Sequence, residues 1–538
     1  MKHYIFFTAL CGLILNETSK AADFLSAAPV PGTIVDVAAM PAGGSVAVGR
    51  FSGTQQFGSA SLTAVGSHDS YVATFDKAGA VSWAVRIGAT VTWASEALGG
   101  VDVDKAGNVF VTGTLFQTTT FNGTTGSTNL VASGNGDVFL VKYNPTGGLL
   151  WAKRFGGNHG AKADSGNGLV IDGEGNVYVA GVFANTAAFG ALSVTARRNL
   201  RDLFLAKFSN EGVPQWVAQA GGTTGDNDTG RALAIDPDGN VVVGGEFAGT
   251  LSFGPQASPS KALTSVGNVS NLESDYFLAK YSSSGTLTWA VASGGSKMET
   301  IHGVAIDASG NVYAAGDYFG SLTVGGSAVT RQGNGLFLAK YSGTGEPRWV
   351  RHSSHINGSI ARGVFASGDN TVYLAGDFNT AVTLEGRTLT GASSQALIAQ
   401  YDADGQLLNT WQAGGPGWDT TASVAPINAT SFLIGGSFQQ TGDFGSTSLT
   451  APSEDYSFIS HFGMQVPIEQ PRLTYQLREG KMELTWPTTP QFVLESASGL
   501  SSALPWLSLS DQPVTEGENS KASIPVTSSA AYFRLRRQ

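Results

Sequence analysis

The sequence predicts an all-β protein: a seven-bladed β-propeller of four-stranded blades, closed by its own N-terminal strand and followed by a small C-terminal β-sandwich. Three observations predict it. A phrase of the form D-x-x-G-N-V-Y-V-A-G returns along the chain, best preserved at 170–183, 234–247 and 305–319 and weaker at 36–51, 102–116, 363–378 and 423–438. A second phrase, D-x-F-L-A-K-Y and then G-x-L-x-W, alternates with it, and its tryptophans (Trp83, Trp151, Trp216, Trp289, Trp349 and Trp411) lie 60–73 residues apart. Finally, the strand-like runs are apolar on both alternating sets, as in Val177 and Val179 against Tyr178 and Ala180. A sheet with one wet face alternates with polar residues, so these small sheets must be covered on both faces by stacking on one another.

The elements follow in order. Lys2, the apolar run Ile5–Leu15 and Ser19-Lys20-Ala21 read as an export signal over residues 1–21, far short of the roughly 20 apolar residues that span a membrane. Cys11, the only cysteine, falls inside this run, and its context TALC lacks the upstream leucine of a lipoprotein box. The mature chain is therefore expected to have no disulfide, thiolate nucleophile or cysteine metal site. It is expected to be secreted, periplasmic or at the cell surface.

The propeller is expected over 22–463. Within 304–350, GVAID reads as strand a, NVYAAGDY as b, LFLAKY as c and EPRWV as d. Glycine supplies the positive φ of the a–b turn, and Asp and Asn bond back to its amides. Seven copies of a, b and c give seven blades; a β-helix has far shorter repeats, and a helical solenoid would need a 3.6-residue period that is absent. The seventh c strand (455–462) has no d strand after it, whereas DFLSAA (23–28) stands upstream of the first a strand. The N-terminal segment is therefore expected to complete the last blade.

Two prolines mark 464–472 as a linker. Beyond it, at 473–538, LTYQLREG, KMELTWP, QFVLESAS, WLSLS, ASIPV and AYFRLRR are short strand candidates separated by turns, as in a small antiparallel sandwich. The propeller phrase, D-x-FLAKY…G-x-L-x-W…GG…D-x-x-GNVYVAG-x-F over roughly 23–463, resembles the SBBP-type β-propeller repeat of bacterial exported proteins. The tail, with its L-x-W-P strand and terminal FRLR, is similar to a C-terminal module of large exported bacterial proteins. These resemblances imply fold and export, and little about activity.

Only 13% of residues are charged, and the net charge is −10. An acidic chain is a poor match for nucleic acid or for anionic membranes. There is no G-x-S-x-G, H-E-x-x-H, P-loop or full EF-hand signature. His352 and His355 follow a d strand, and DPDGN (236–240) is half a calcium loop whose sister copies carry Glu174 or Ser309 at the second carboxylate, so both read as loop and turn features. The insertions at 196–202 and 255–274 read as solvated decoration.

One constellation stands out. Eight residues before each turn Asp stand Gly32, Glu96, Asp164, Asp228, Glu299, Ser359 and Asp419. Blade symmetry would set the five acids, Glu96, Asp164, Asp228, Glu299 and Asp419, in a ring at one mouth of the central channel. Two such charges ~9 Å apart repel by roughly 0.5 kcal/mol in water and nearer ~2 at an effective dielectric of 20, so the ring needs compensation. Either amides of each acid's own loop supply it, or a hard cation such as Ca²⁺ does. No other cofactor and no catalytic residue is indicated.

The expected function is that of an exported, non-catalytic binding or scaffolding propeller. It would present a face or channel mouth to a glycan, peptide or cell-surface protein, as a monomer without a transmembrane anchor. The alternatives are a polysaccharide lyase or hydrolase acting across the channel mouth, which needs convergent His, Tyr, Arg or paired carboxylates, and a purely structural envelope protein.

Overall fold

A computed structural model describes residues 22–464 apart from 90–96, 159, 161, 198–200, 223–227, 256–259, 268–272, 355–357 and 452–455, together with seven strands between 474 and 537. The leader 1–21, Glu96, His355 and most of the linker lie outside the described residues. Two compact units result, Ala22–Met464 and a C-terminal one.

The first unit is a seven-bladed propeller. Its innermost strands are Thr33–Ala39, Ala97–Val103, Ser165–Ile171, Thr229–Ile235, Glu299–Ile306, Ser359–Ala366 and Thr420–Asn428, and each opens a blade ordered a-b-c-d from the channel outward. Closure is as the sequence indicates. Ala22–Pro31 pairs antiparallel with Tyr456–Met464, from Ala22 opposite Met464 to Pro31 opposite Tyr456, and so becomes the outer strand of the seventh blade.

The repeated a–b phrase is a hairpin. Asp307 Oδ1 accepts the amides of Ser309 (2.9 Å) and Asn311 (2.8 Å), and Asn311 Nδ2 donates to Asp307 Oδ2 (2.8 Å). Asp236 repeats this pattern in DPDGN and takes Lys280 Nζ at 2.9 Å as counter-ion, which makes it a turn.

Each four-stranded blade also carries a short hairpin. The short runs after strand b, such as TAAF in blade 3, fold into hairpins that lie against the outer strand of the preceding blade. Thr118–Asn122 pairs with Val81–Ala89, and Thr250–Phe253 pairs with Pro214–Gly221. Single bridges do the same at Gly156–Ala188, Gly294–Thr323, Ser353–Leu384 and Gly414–Asp443. Each hairpin buries a side chain at or next to the end of its first strand: Phe57, Phe121, Phe189, Phe253, Val324, Leu384 and Phe444 are all at most 2% exposed. Burying each contributes roughly 1.5–3 kcal/mol, and local β-pattern could not reveal it because the partner strand is a whole blade away. Arg197 corrects the reading of the 196–202 insertion as solvated: it is buried and donates to the carbonyls of Gly221 (3.0 Å), Ser252 (2.8 Å) and Gly254 (2.9 Å).

The recurrent tryptophans lock neighbouring blades. The indole N–H of Trp83, Trp216, Trp289 and Trp349 donates to a c–d turn carbonyl of the next blade, at Pro145, Ser283, Gly343 and Ala403, over 2.9–3.1 Å. The turn glycine lies on the ring face; a Cβ on Gly345 would come within 2.9 Å of Trp289. At the seam the closing strand carries Ala28 against Gly79 instead.

The C-terminal unit holds two sheets. Thr474–Arg478, Lys481–Pro487, Asn519–Pro525 and Val514–Glu516 form one; Leu507–Ser508, Phe492–Ala497 and Tyr532–Arg537 form the other. Leu484 and Trp486 from the first cluster with Leu494 from the second, all under 5% exposed, which gives the small sandwich its core.

Candidate functional site

The seven a strands enclose a channel of about 1200 Å³. Each a strand pairs with its b strand through the same irregularity, one extra residue between Ile34 and Asp36, Leu98 and Gly100, Gly166 and Gly168, Gly230 and Ala232, Ile301 and Gly303, Ala361 and Gly363, and Thr421 and Ser423. A β-bulge leaves its extra residue out of the ladder and re-aims the side chain. The extra residues are Val35, Gly99, Asn167, Arg231, His302, Arg362 and Ala422, and all line the channel.

This ring is divided. Blades 3 to 6 present Asn167, Arg231, His302 and Arg362, whereas blades 7, 1 and 2 present Ala422, Val35 and Gly99. Three of the polar residues meet a carboxylate on the adjoining b strand: Arg231 Nη2 lies 3.2 Å from Glu246 Oε1, His302 Nε2 lies 2.7 Å from Asp317 Oδ1, and Arg362 Nε lies 3.2 Å from Asp377 Oδ1. Asn167 bonds the carbonyl of Gly230 (3.2 Å) and the hydroxyl of Ser165 (2.9 Å). Burial raises the Asp377 carboxyl above the usual range, and Arg362 partly offsets this. Arg362 is held by Nε and Arg231 by one terminal nitrogen, so among the described residues their remaining N–H groups make no hydrogen bond. Arg231 is 45% and Arg362 31% exposed. Together these blades turn Asn167, Arg231, His302 and Arg362 to the channel, the last three each with a carboxylate beside it.

Elsewhere in the channel the polar groups are spent on structure. Asp36 accepts the Val101 amide (2.8 Å) from blade 2 and the Ser423 hydroxyl from blade 7, and Asp102 accepts the Ile171 amide (2.8 Å) from blade 3. Desolvation pushes their carboxyls up, to about 6 for Asp36 and about 7 for Asp102.

Of the five acids singled out by sequence, Glu96 lies outside the described residues. Asp164, Asp228, Glu299 and Asp419 are at most 1% exposed, stand at or just before the start of strand a, and none lines the channel. Their oxygens turn to amides. Asp164 accepts Gly157 (2.7 Å) and Ala184 (2.8 Å), Glu299 accepts Gly295 (2.9 Å), and Asp419 accepts Gly415 (2.6 Å) and Gln439 (3.3 Å). Asp228 lies against the amides of Gly222 and Ala248. The amides of Gly157, Gly222, Gly295 and Gly415 belong to the recurrent G-G pair that ends the d strands before them, which ties that pair to the acid.

Each acid also faces a polar side chain of a neighbouring c strand, Asp137, Asp202, Asp275 or Gln395. A Cβ on Gly156 would fall 2.6 Å from Asp137 Oδ1 and 2.7 Å from Asp164 Oδ2, so the two carboxyls close on one another across the glycine. Asp202 and Asp275 stand in the equivalent place beside Asp228 and Glu299. Asp137 Oδ1, Asp202 Oδ2, both Asp228 oxygens, Asp275 Oδ1 and Glu299 Oε1 are buried and hold no hydrogen bond among the described residues. Burial, reinforced by the neighbouring acid where there is one, raises these carboxyls: Asp164 and Asp419 to about 6, Asp202 to about 7 and Glu299 to about 9. Blade 6 solves the same contact with an amide: Gln395 Nε2 donates to the Gly415 carbonyl (2.7 Å) and towards Asp419 Oδ2 (3.4 Å). At blade 5 two hydroxyls, Ser353 and Ser359, bond each other over 2.8 Å. Among the described residues no group of three or more His, Cys, Asp or Glu side chains is placed to hold a metal ion.

Sequence reasoning missed Asn167, Arg231, His302 and Arg362. The signal was available five residues before the aligned turn positions Asp172, Asp236, Asp307 and Ser367, where the Ala, Val and Gly of the other blades give way to Asn, Arg, His and Arg, but only the bulge shows that this position faces the channel.

Comparison with known proteins gives distant likenesses. A family model for a β-propeller repeat, SBBP, matches residues 150–182. An uncharacterized WD repeat-containing protein of Acanthamoeba polyphaga mimivirus is 24% identical over 368 residues, covering 58% of this chain and 26% of the relative. The regulatory protein FlaEY of Caulobacter vibrioides is 30% identical over 130 residues, covering 24% of this chain and 13% of the relative. The chain thus spans about a quarter and an eighth of the lengths of these two proteins. Among solved structures, Sqt1 from Chaetomium thermophilum is similar at a TM-score of 0.37 and 9% identity, covering 82% of this chain and 99% of that one. A puromycin hydrolase is similar at 0.38 and 11%, covering 85% and 59%, and YCF48 bound to D1 peptide at 0.35 and 9%, covering 83% and 96%. Likenesses at that depth carry no reading of function.

Proposed function

We propose that this chain is an exported, non-catalytic binding propeller whose ligand seat is the polar half of the bulge ring. One observation carries the reading. In a molecule whose blades repeat one pattern, four consecutive blades depart from it at the same channel-facing position, with Asn167, Arg231, His302 and Arg362. A rigid scaffold with local variation at one mouth is how binding sites are commonly built on repeat folds. The acids at this mouth are engaged by Arg or His, and the deeper Asp36 and Asp102 accept backbone amides, which favours recognition over proton transfer. The N-terminal signal pattern is the basis for export.

A binding screen of glycans and peptides against the purified chain, repeated with the Arg231→Ala/Arg362→Ala double variant, tests this reading. A ligand of the wild type whose affinity falls tenfold or more in the variant is the expected result. A ligand bound equally by both forms places the seat elsewhere. Fractionation of the native host, with the chain found only in the cytoplasm, would remove the export part.

A further inference from the structure

We infer that the seat takes a neutral glycan, one sugar ring lying on Trp418 while its hydroxyls engage the Arg362–Asp377 and His302–Asp317 pairs; this rests on the binding reading above.

Trp418 is 59% exposed, the only exposed tryptophan among the described residues. It stands in the d-to-a loop of blade 7, one residue before the buried Asp419, whose bonds to Gly415 (2.6 Å) and Gln439 (3.3 Å) fix that loop. The Trp418 amide bonds Gln439 Oε1 (3.4 Å). Three residues further on, Thr421 donates its hydroxyl to the Gly376 carbonyl (2.8 Å), and its amide lies on Asp377, the partner of Arg362. Three residues span at most ~11 Å, so the backbone of Trp418 lies within that distance of the residue bonded to Gly376 and Asp377. Met298, at the equivalent place in blade 5, is 54% exposed, and Phe319, whose amide bonds the Met298 carbonyl (3.1 Å), is 46% exposed. The loops that lead into strand a thus carry exposed apolar side chains on two of the blades.

This combination selects its ligand by chemistry. A hydroxyl both donates and accepts, which matches a guanidinium and a carboxylate side by side. The apolar face of a sugar ring suits a rigid, exposed indole. A peptide would need an open strand edge or deep apolar pockets, whereas the wall beside the bulges is Gly168, Ala232, Gly303 and Gly363. Carboxylates beside each cation, on a chain of net charge −10, disfavour an acidic polymer.

The experiment is isothermal titration of the full chain with defined oligosaccharides of neutral hexoses, N-acetylhexosamines and uronic acids, and with a peptide panel. Trp418→Ala, Trp418→Phe and Arg362→Ala are compared with the wild type. The expected result is binding of a neutral oligosaccharide that weakens tenfold or more in Trp418→Ala and in Arg362→Ala, with Trp418→Phe within about threefold of wild type. Unchanged melting temperature of Trp418→Ala would exclude a folding effect; a folding loss in that variant moves the comparison to Trp418→Phe and Trp418→Leu, which are expected to bind in that order. Preference for uronic acids, or no oligosaccharide bound, overturns the inference. Peptide binding that depends on Arg362 but is indifferent to Trp418 also overturns it while leaving the binding reading in place. Binding indifferent to Arg231 and Arg362 defeats both.

Discussion

Two rings run through the same seven blades three residues apart, and they have opposite character. Asp164 and Asn167, Asp228 and Arg231, Glu299 and His302, and Asp419 and Ala422 are neighbouring positions on one strand or the loop that leads into it. The first member of each pair is buried and turned to the amides of its own loop, with Asp164, Glu299 and Asp419 bonded to them; the second leaves the ladder at a bulge and faces the channel. Uniformity at the first position follows from a shared requirement, because the G-G pair at the end of these d strands leaves an amide that needs an acceptor, and a carboxyl supplies one. Diversity at the second is permitted because the bulge residue contributes nothing to the ladder. A repeated polar residue here marks scaffold, and the place where repetition stops marks a site.

The contrast is sharpest when a charge is reversed in the buried ring. Glu299→Lys would bury a cation against the Gly295 amide that the carboxyl now accepts, with Asp275 as the neighbouring acid. A loss on the order of 3–5 kcal/mol is expected, as for other poorly compensated buried charges, measured by urea unfolding. A variant with wild-type stability would show that the loop does not depend on this acceptor.

A second effect follows from pH. The folded chain holds protons on Glu299 up to about 9 and on Asp202 up to about 7, above the values of exposed carboxyls. The folded state therefore binds more protons than the unfolded one, and stability falls as pH rises from ~4.5 through these values, by at most ~1.4 kcal/mol per unit for each such group. The melting temperature should be highest in mildly acid solution and decline towards pH 9. Glu299→Gln, which copies the amide that Gln395 already supplies in blade 6, should flatten that decline and stay within ~1 kcal/mol of wild type at pH 7. A flat wild-type profile, or a variant as steep as wild type, would contradict the proton held at this position.

The smallest effect belongs to the bulge ring. Arg231→Ala/Arg362→Ala removes two partly exposed ion pairs, each worth ~0–1 kcal/mol to stability. Its melting temperature should lie within a few degrees of wild type although ligand binding is lost. A large drop would make the ring structural and erase the distinction between the two positions.

The fold was largely legible. Turn chemistry at Asp307 and Asn311, apolar strands such as Val177–Ala180 and the missing seventh d strand are local features, and each corresponds to a feature of the structure. The plug residues, from Phe57 to Phe444, could be read as apolar but not placed, because the strand they cover belongs to the previous blade. The candidate site was legible only in part. Acids at a fixed offset from the turn are visible in the sequence, but whether they face the channel or the G-G amides depends on how the loop folds back.

The chain's own sequence determined how many blades form, where each turns and how the circle closes, because those properties reside in short-range periodicity and in the copy number of a phrase. Only the tertiary structure decided which of two positions three residues apart meets the channel. One extra residue in each a strand shifts the alternation of side chains at that point, and that shift exists only once the strand is paired with its neighbour.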